Sequence, residues 1–215
     1  MKKLAVLNPN TTRQMTDAVV AEVLRHVAGG TEIVGMTAAA GPAVIDSPET
    51  FDAGARTALG MLSDVPADAD AILLACFGDP GLAALRAAAA VPVVGLAEAA
   101  VGAALATGQR FAILTAGAAW VTMLQGCVAD YGAAGLLTGV HALPGNGKVL
   151  KENPERFRAE VLRLSTVAAD DGATMLILGG AAFAGLAFAV DRRLATMDVM
   201  GAAIRRLTVE ARNRA

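Results

Sequence analysis

The sequence lacks the features of a disulfide-rich, zinc-binding or nucleic-acid-binding protein. Its 215 residues include two cysteines, Cys76 and Cys127, which are too few for a disulfide framework and form no CxxC pair for zinc. We therefore expect no metal and a reducing, cytoplasmic setting. The formal net charge of -2 provides no basic field for nucleic acid, so we expect no nucleic-acid partner.

Long apolar runs are also missing, although 55% of the residues are hydrophobic. The uncharged run 175–190 contains three glycines and is shorter than the roughly 18 residues that a membrane span needs. Strand-like residues 3–7 follow the N-terminus directly, without an apolar secretory segment. No GxGxxG motif follows this strand. We therefore expect neither a membrane partner nor a bound nucleotide.

What the chain does contain is a regular alternation of strand-like and helix-like segments. Strands are predicted near 3–7, 31–35, 70–75, 92–95, 110–114, 137–142, 174–178 and 194–197. Helices are predicted near 12–28, 50–63, 81–89, 96–107, 118–131, 154–170 and 199–213. Helices that fill the connections between strands indicate an α/β fold with parallel sheets covered on both faces.

The two halves of the chain repeat one pattern. Lys3–Asn8 corresponds to Arg110–Thr115, and Ala71–Cys76 corresponds to Met175–Gly180, with offsets of 107 and 104 residues. This predicts two pseudosymmetric lobes, each a parallel sheet flanked by helices, with the active site in the cleft between them. We expect the first lobe at 1–97 plus the C-terminal helix at about 198–215. The second lobe is expected at 98–197, and the two should form one compact unit.

The stretch around Cys76 carries the clearest functional signal. The apolar run 71–75 predicts a strand buried on both faces, and the glycines and proline of 78–81 then end it. Cys76 is thereby placed at the carboxyl end of a parallel strand, where α/β proteins bind ligands. We expect Pro80 in the first turn of the next helix, and the amides of 77–79 around Cys76, available to an anionic oxygen. The alternative is an isolated cysteine that simply fills the core.

A thiol that acts as a base must first become a thiolate. The pKa of a free thiol is about 8.5, and we expect nearby amides and a helix N-terminus to lower the pKa of Cys76. Asp79 would oppose this if it faced the thiol. We expect the Asp79 carboxylate instead to cap the helix that begins at Pro80.

Polar loops follow the matching strands of both halves. Asn8-Pro9-Asn10-Thr11-Thr12 precedes a helix, and its side chains fit either an N-terminal cap or a carboxylate site. Capping alone needs only one of the four polar side chains. The loop 41–48, which contains Ile45, could close over a ligand, although Ser47 and Pro48 are more typical of a helix start.

Three motifs give the sequence a family resemblance. Asn8–Thr12, Cys76–Leu82 and Pro92–Gly95 with Glu98–Ala100 resemble the hydantoin and allantoin racemase branch of the aspartate/glutamate racemase superfamily, over essentially the full length. The resemblance implies a homo-oligomer without a cofactor, acting on a small cyclic ureide or carboxylate. In that family two cysteines face each other across the substrate. One thiolate removes the proton α to a carbonyl, and the other thiol returns a proton to the opposite face.

The resemblance also implies a set of site residues. Cys76 matches the first catalytic cysteine. The implied substrate-binding residues are Asn8, Asn10, Thr11, Thr12, Ile45, Phe77, Gly78, Thr115, Ala116, Gly180 and Ala181.

One departure from the family pattern bears on mechanism. The second cysteine of the family follows a strand in a Leu-Gly-Cys context, whereas this chain has Leu178-Gly179-Gly180. Cys127 cannot replace this second cysteine, because it is predicted to be a core residue in a different helix. Two further functions therefore stay open, namely a single-cysteine decarboxylase or isomerase of the arylmalonate or maleate type, and a ligand-binding relative without catalysis. Arg13 is the one basic residue in the loops that are predicted to line the cleft. The sequence therefore favours neutral cyclic ureides over dicarboxylates.

Overall fold

Eight parallel strands form two separate four-stranded sheets in the part of the chain that the structure describes. The structure is a computed structural model that describes residues 1–145, 153–180, 183 and 186–213. The chain divides into two compact units, Met1–Ala99 with Met200–Ala215, and Ala100–Val199. Each unit contains one sheet with helices in its connections, which confirms the predicted α/β class and the two parallel sheets.

The first unit has the strand order β2-β1-β3-β4. Its elements are β1 (Lys3–Asn8), α1 (Arg13–Val23), β2 (Glu32–Thr37), α2 (Pro48–Gly60), a 3-10 helix (Met61–Asp64), β3 (Ala71–Leu74), α3 (Leu82–Ala88), β4 (Val93–Gly95), the first residues of α4 (Leu96–Thr107) and the C-terminal helix α7 (Val199–Arg212). Strands β1 and β3 lie at the centre of the sheet. Leu4–Leu7 and Ala71–Leu74 are almost fully buried, as expected for strands covered on both faces.

The second unit repeats this arrangement with the order β6-β5-β7-β8. After the end of α4, its elements are β5 (Phe111–Ala116), α5 (Ala119–Asp130), β6 (Leu137–Leu143), α6 (Pro154–Asp170), β7 (Met175–Leu178) and β8 (Ala195–Thr196). Apolar residues from the sheet and α6 form its core, and three aromatic rings of Phe157, Phe183 and Phe188 pack there with centroids 4.9–5.7 Å apart. The described helices are too short or too polar to cross a membrane.

The strand register identifies the counterpart of Cys76 in the second sheet. Leu7 pairs with Leu74, and the next amide, that of Ala75, donates to the Leu7 carbonyl at 2.8 Å. In the second sheet Leu114 pairs with Leu178, and the Gly179 amide donates to the Leu114 carbonyl at 2.8 Å. Cys76 and Gly180 are each the next residue in the chain. The register therefore matches them, as the sequence offset predicted.

Local sequence explains how helix α2 begins. Ser47 caps it, because its side chain accepts a hydrogen bond from the Thr50 amide while the Thr50 hydroxyl accepts one from the Ser47 amide. Pro48 occupies the first turn, where its missing N–H costs nothing. The interpretation of Ser47 and Pro48 as a helix start is confirmed.

Candidate functional site

Cys76 lies in the loop that leaves the carboxyl end of β3, as predicted. Its side chain is half-buried. The loop turns back on itself, because the Asp79 amide donates to the Cys76 carbonyl at 3.0 Å and the Leu82 amide donates to the Asp79 carbonyl at 3.1 Å. Helix α3 begins only at Leu82, after Gly81 in the left-handed conformation with φ of 74°. The prediction that Pro80 lies in the first helical turn is therefore wrong.

The amides around Cys76 are less available than predicted. The Asp79 amide closes the turn to the Cys76 carbonyl and so does not offer itself to an anionic oxygen. Phe77 and Gly78 follow Cys76 and are both buried. Binding of a substrate oxygen by Phe77 and Gly78 stays a prediction.

The Asp79 side chain caps a different helix from the one predicted. Its carboxylate accepts hydrogen bonds from the Ala97 amide at 3.1 Å and the Glu98 amide at 2.6 Å, both in the first turn of α4. Asp79 has a φ of 57°, a left-handed conformation that turns the loop sharply. Neighbouring Gly95 has no room for a Cβ, which would collide with the Asp79 carboxylate. The predicted cap on the helix after Pro80 is therefore wrong.

The pKa of the Cys76 thiol is raised, not lowered as the sequence led us to expect. The main cause is burial, which disfavours the charged thiolate, and the second is the negative charge of Asp79. The helix N-terminus that was expected to stabilise the thiolate begins six residues later, at Leu82. The raised pKa favours the protonated thiol over the thiolate at neutral pH.

The asparagines of the N-terminal loop hold that loop together. The Asn8 side-chain amide donates to the Asn10 side-chain oxygen at 3.1 Å and to the Thr16 hydroxyl at 2.9 Å. The Asn10 oxygen also accepts from the Thr12 amide at 2.9 Å. Asn8 and Asn10 are buried, with exposed fractions of 1% and 6%. Thr12 precedes α1 but makes no side-chain cap hydrogen bond, so the simple helix-cap interpretation of this loop is wrong.

The N-terminal loop is tied to the loop after β2. The Thr11 amide donates to the Pro42 carbonyl at 3.0 Å, and the Thr12 hydroxyl donates to the Ala43 carbonyl at 2.7 Å. These two hydrogen bonds fix the position of the segment that leads to Ile45. They join two of the loops that the sequence placed at the site.

Ile45 connects this segment to the loop of Cys76. It is buried, and a Cβ added to Gly54 of α2 would lie 2.5 Å from its Cδ1 atom and 3.8 Å from the Pro80 ring. Ile45, Gly54 and Pro80 are therefore packed close together. These contacts link the N-terminal loop through Ile45 to Pro80 of the Cys76 loop, and substrate binding by Asn8, Asn10, Thr11, Thr12 and Ile45 stays a prediction.

The predicted site residues of the second unit include a single polar side chain, that of Thr115. Thr115 is buried within β5, and Ala116, half-buried, ends that strand. Gly180 follows β7 with a φ of 122°, and a Cβ added there would meet no atom of the described residues within 4 Å. Ala181 lies outside the described residues. Substrate binding by Thr115, Ala116, Gly180 and Ala181 stays a prediction.

Cys127 is not one of the predicted site residues of either unit. Cys127 lies in α5, as predicted, but the prediction of a core position is wrong because it is half-buried. Across the described ranges, no cluster of three or more His, Cys, Asp or Glu side chains could hold a metal ion.

Thr16 is the residue of this region that the sequence did not reveal. It lies on α1, is 2% exposed, and its hydroxyl links the Asn8 amide to the Thr37 hydroxyl, which is 2.6 Å away. The signal was a threonine eight residues after Asn8, on the inward face of an amphipathic helix. Without knowledge of the Asn8 side-chain direction, that threonine is an ordinary helix residue.

Comparison with known proteins places this geometry in a family. A family model described as Asp/Glu/Hydantoin racemase matches residues 4–207. A hydantoin racemase from Rhizobium meliloti is 33% identical over 189 residues, covering 84% of this chain and 76% of that protein. A hydantoin racemase from Pseudomonas sp. (strain NS671) is 30% identical over 205 residues, covering 93% of this chain and 81% of that protein.

A solved structure agrees with these sequence relatives. Allantoin racemase from Klebsiella pneumoniae superimposes with a TM-score of 0.86 at 28% identity, covering 97% of this chain and 87% of that chain. The predicted family and the predicted enzyme class are both confirmed. The chain is a racemase that belongs to the Asp/Glu/Hydantoin racemase family.

Proposed function

We propose that Cys76 is the acid/base catalyst of a cofactor-independent racemase that acts on a carbon next to a carbonyl group in a hydantoin- or allantoin-like cyclic ureide. The observation that carries this proposal is the half-buried thiol of Cys76 at the carboxyl end of β3, in a chain whose sequence relatives are hydantoin racemases. The setting we propose is the cytoplasm, with the enzyme as a homo-oligomer.

The reaction begins with a proton transfer to sulfur. The Cys76 thiolate takes the α-proton, and the electron pair of the broken C–H bond moves onto the carbonyl oxygen to give an enolate. Return of a proton to the α-carbon restores the ureide. Because the pKa of Cys76 is raised, thiolate is scarce at neutral pH, and its amount grows as the pH rises.

The two faces of the enolate are served unequally. Gly180 matches Cys76 by register, and the family resemblance implies the second catalytic cysteine at this position. Glycine has no side chain that could protonate the second face. Water or another residue must do so for the substrate to invert. Proton exchange at the α-carbon should therefore be faster than inversion.

The charges around Cys76 favour a neutral substrate. Asp79 places a buried negative charge close to the thiol, which would repel a dicarboxylate. Arg13 is the basic residue of the N-terminal loop region, and its side chain is 79% exposed and lies 3.6 Å from Asp17. A cyclic ureide, which is neutral and rich in N–H and C=O groups, fits these surroundings better.

A second function has one observation in its favour. A protonated thiol is suited to deliver a proton to one face of a carbanion, as a single-cysteine decarboxylase or isomerase does after carbon dioxide leaves or a double bond shifts. Stereospecific protonation of a malonate substrate, without racemisation of hydantoins, would establish this function instead. Thermal stabilisation by a ureide with no α-proton exchange at any pH would indicate a ligand-binding protein.

The proposal is tested by Cys76→Ser, with Cys127→Ser as the matched control. We expect Cys76→Ser to lower the rate of racemisation of a 5-substituted hydantoin by about 10²- to 10⁴-fold, the usual contribution of a general acid/base. Cys127→Ser, on the half-buried face of α5, should leave the rate unchanged. The rates are measured by optical rotation after subtraction of the reaction without enzyme. Wild-type activity in Cys76→Ser would end the proposal.

A further inference from the structure

Asp79 combines three features that a loop residue seldom has together. In the described chain it is the one non-glycine residue with a positive φ, 57°. It is also buried, with 4% of its surface exposed, although it carries a carboxylate. Holding a non-glycine residue in this conformation has a free-energy cost, so the surrounding contacts must offset it.

The contacts of the Asp79 carboxylate explain how it tolerates burial. The two amides that donate to it, from Ala97 and Glu98, are N–H groups in the first turn of α4, which have no partner within the helix. The positive end of the helix dipole adds to their effect. A buried carboxylate is thereby satisfied, and the Cys76 loop is attached to α4.

The attachment continues into a network of ion pairs. The Glu98 side chain pairs with Arg86 of α3 at 2.6 Å and with Arg206 of α7 at 3.1 Å. Arg86 also donates to the Val93 carbonyl of β4 at 2.9 Å and 3.1 Å. The first turn of α4 is therefore held from several sides, so it is a firm support for the Cys76 loop.

We propose that Asp79 is a positioning residue for the reaction of Cys76. Its buried carboxylate anchors the turn that carries the thiol, and the anchor point is the N-terminus of α4. Asp79 does not touch the substrate in this account. It acts through the turn, which the hydrogen bond from its own amide to the Cys76 carbonyl closes. This inference rests on the proposed function of Cys76.

Two substitutions separate the carboxylate from the backbone conformation. Asp79→Gly and Asp79→Asn both tolerate a positive φ and both remove the negative charge. Asparagine keeps one oxygen that can accept from α4, whereas glycine keeps none. Asp52→Asn, at an exposed position on α2, is the matched control for loss of an acidic charge.

The variants are made in a Cys127→Ser background and read in two ways. The first is kcat and KM for racemisation of a 5-substituted hydantoin. We expect kcat to fall on the order of 100-fold in Asp79→Gly, less in Asp79→Asn, and not at all in Asp52→Asn, with KM little changed. The second is the rate of alkylation of Cys76 by iodoacetamide across pH. Its midpoint should move to lower pH in both Asp79 variants, because the opposing charge is gone.

The two readouts keep this inference distinct from the proposed function. If both Asp79 variants keep the wild-type kcat and the wild-type alkylation profile, and lose only thermal stability, Asp79 is merely structural and the inference is overturned. Equal kcat in the glycine and asparagine variants would also overturn it, because anchoring by the oxygen would then have no effect. If Cys76→Ser keeps full activity, the proposed function fails, while the alkylation profile still reports whether Asp79 acts on the thiol.

Discussion

The loop after β3 and the loop after β7 leave equivalent points of two sheets with the same strand order, yet they differ in chemistry. At the first point Cys76 is followed by a turn that a buried carboxylate anchors to α4. At the second, Gly180 has no side chain, and no atom of the described residues lies within 4 Å of an added Cβ. The repeated sheet provides two equivalent positions, while the loop sequence decides which of them carries a thiol.

The ends of the equivalent strands β1 and β5 show a similar difference between the two units. Asn8 ends β1, and its side chain makes hydrogen bonds that organise the following loop. Its register counterpart Thr115 lies inside β5, which continues to Ala116 and stays paired with β6 there. In the first unit, buried polar side chains therefore fix the shape of the loop.

Replacement of Gly180 should give the largest effect on stability. Gly180 has a φ of 122°, and a side chain there forces a conformation that L-residues rarely adopt, although an added Cβ would meet no described atom within 4 Å. We expect Gly180→Ala to lower the free energy of unfolding by about 1–3 kcal/mol, measured by urea denaturation. Gly180→Cys should be destabilised to the same extent, so it would restore a second thiol only at a cost in stability.

Gly126 provides the control for this substitution. It lies in the interior of α5 without a positive φ, and outside its own helix backbone no atom in the described part of the chain lies within 4 Å of an added Cβ. Gly126→Ala should raise the free energy of unfolding by about 0.5–1 kcal/mol, since alanine is the better helix former. Should Gly180→Ala prove as stable as wild type, the backbone after β7 adapts easily, and the contrast between the two loops is weaker than described.

A smaller effect follows from the raised pKa of Cys76. A thiol that ionises at about pH 8.5 in the unfolded chain, but only at higher pH in the folded protein, stabilises the fold fully below pH 8.5. Above that pH the unfolded chain loses its proton first, so this stability is lost as the pH rises. We expect wild type to lose roughly 1 kcal/mol relative to Cys76→Ala between pH 7.5 and 9.5. Parallel urea curves at both pH values, with an unchanged difference between the two proteins, would contradict the assignment.

The elements of the fold could be predicted because their signals are local. Apolar runs bounded by glycine and proline marked strands such as Ala71–Leu74, and the Ser47-Pro48 pair marked the start of α2. The equivalence of Cys76 and Gly180 followed from two pairs of similar segments at nearly equal offsets, 107 and 104 residues. Each of these inferences needs only residues that are close in sequence or a direct comparison between the two halves.

The errors at the site share a long-range cause. Pro80 was predicted in the next helix and Asp79 as its cap, because both residue types are common at helix starts. In the structure Asp79 instead binds α4, 18 residues further along the chain, and the turn before Leu82 follows from that contact. The direction of the thiol pKa shift was misjudged for the same reason, because burial and the place of the Asp79 charge depend on tertiary packing.

We expect proton transfer at the α-carbon to depend on the thiol of Cys76 alone. This expectation is tested most directly by incubating each enantiomer of a 5-substituted hydantoin with the enzyme in D2O. Deuterium at the α-carbon is followed by NMR and inversion by chiral chromatography. We predict that one enantiomer exchanges its proton faster than the other, that exchange is faster than inversion, and that Cys76→Ser abolishes enzymatic exchange. Equal rates of exchange and inversion from both enantiomers, or undiminished exchange in Cys76→Ser, would contradict it.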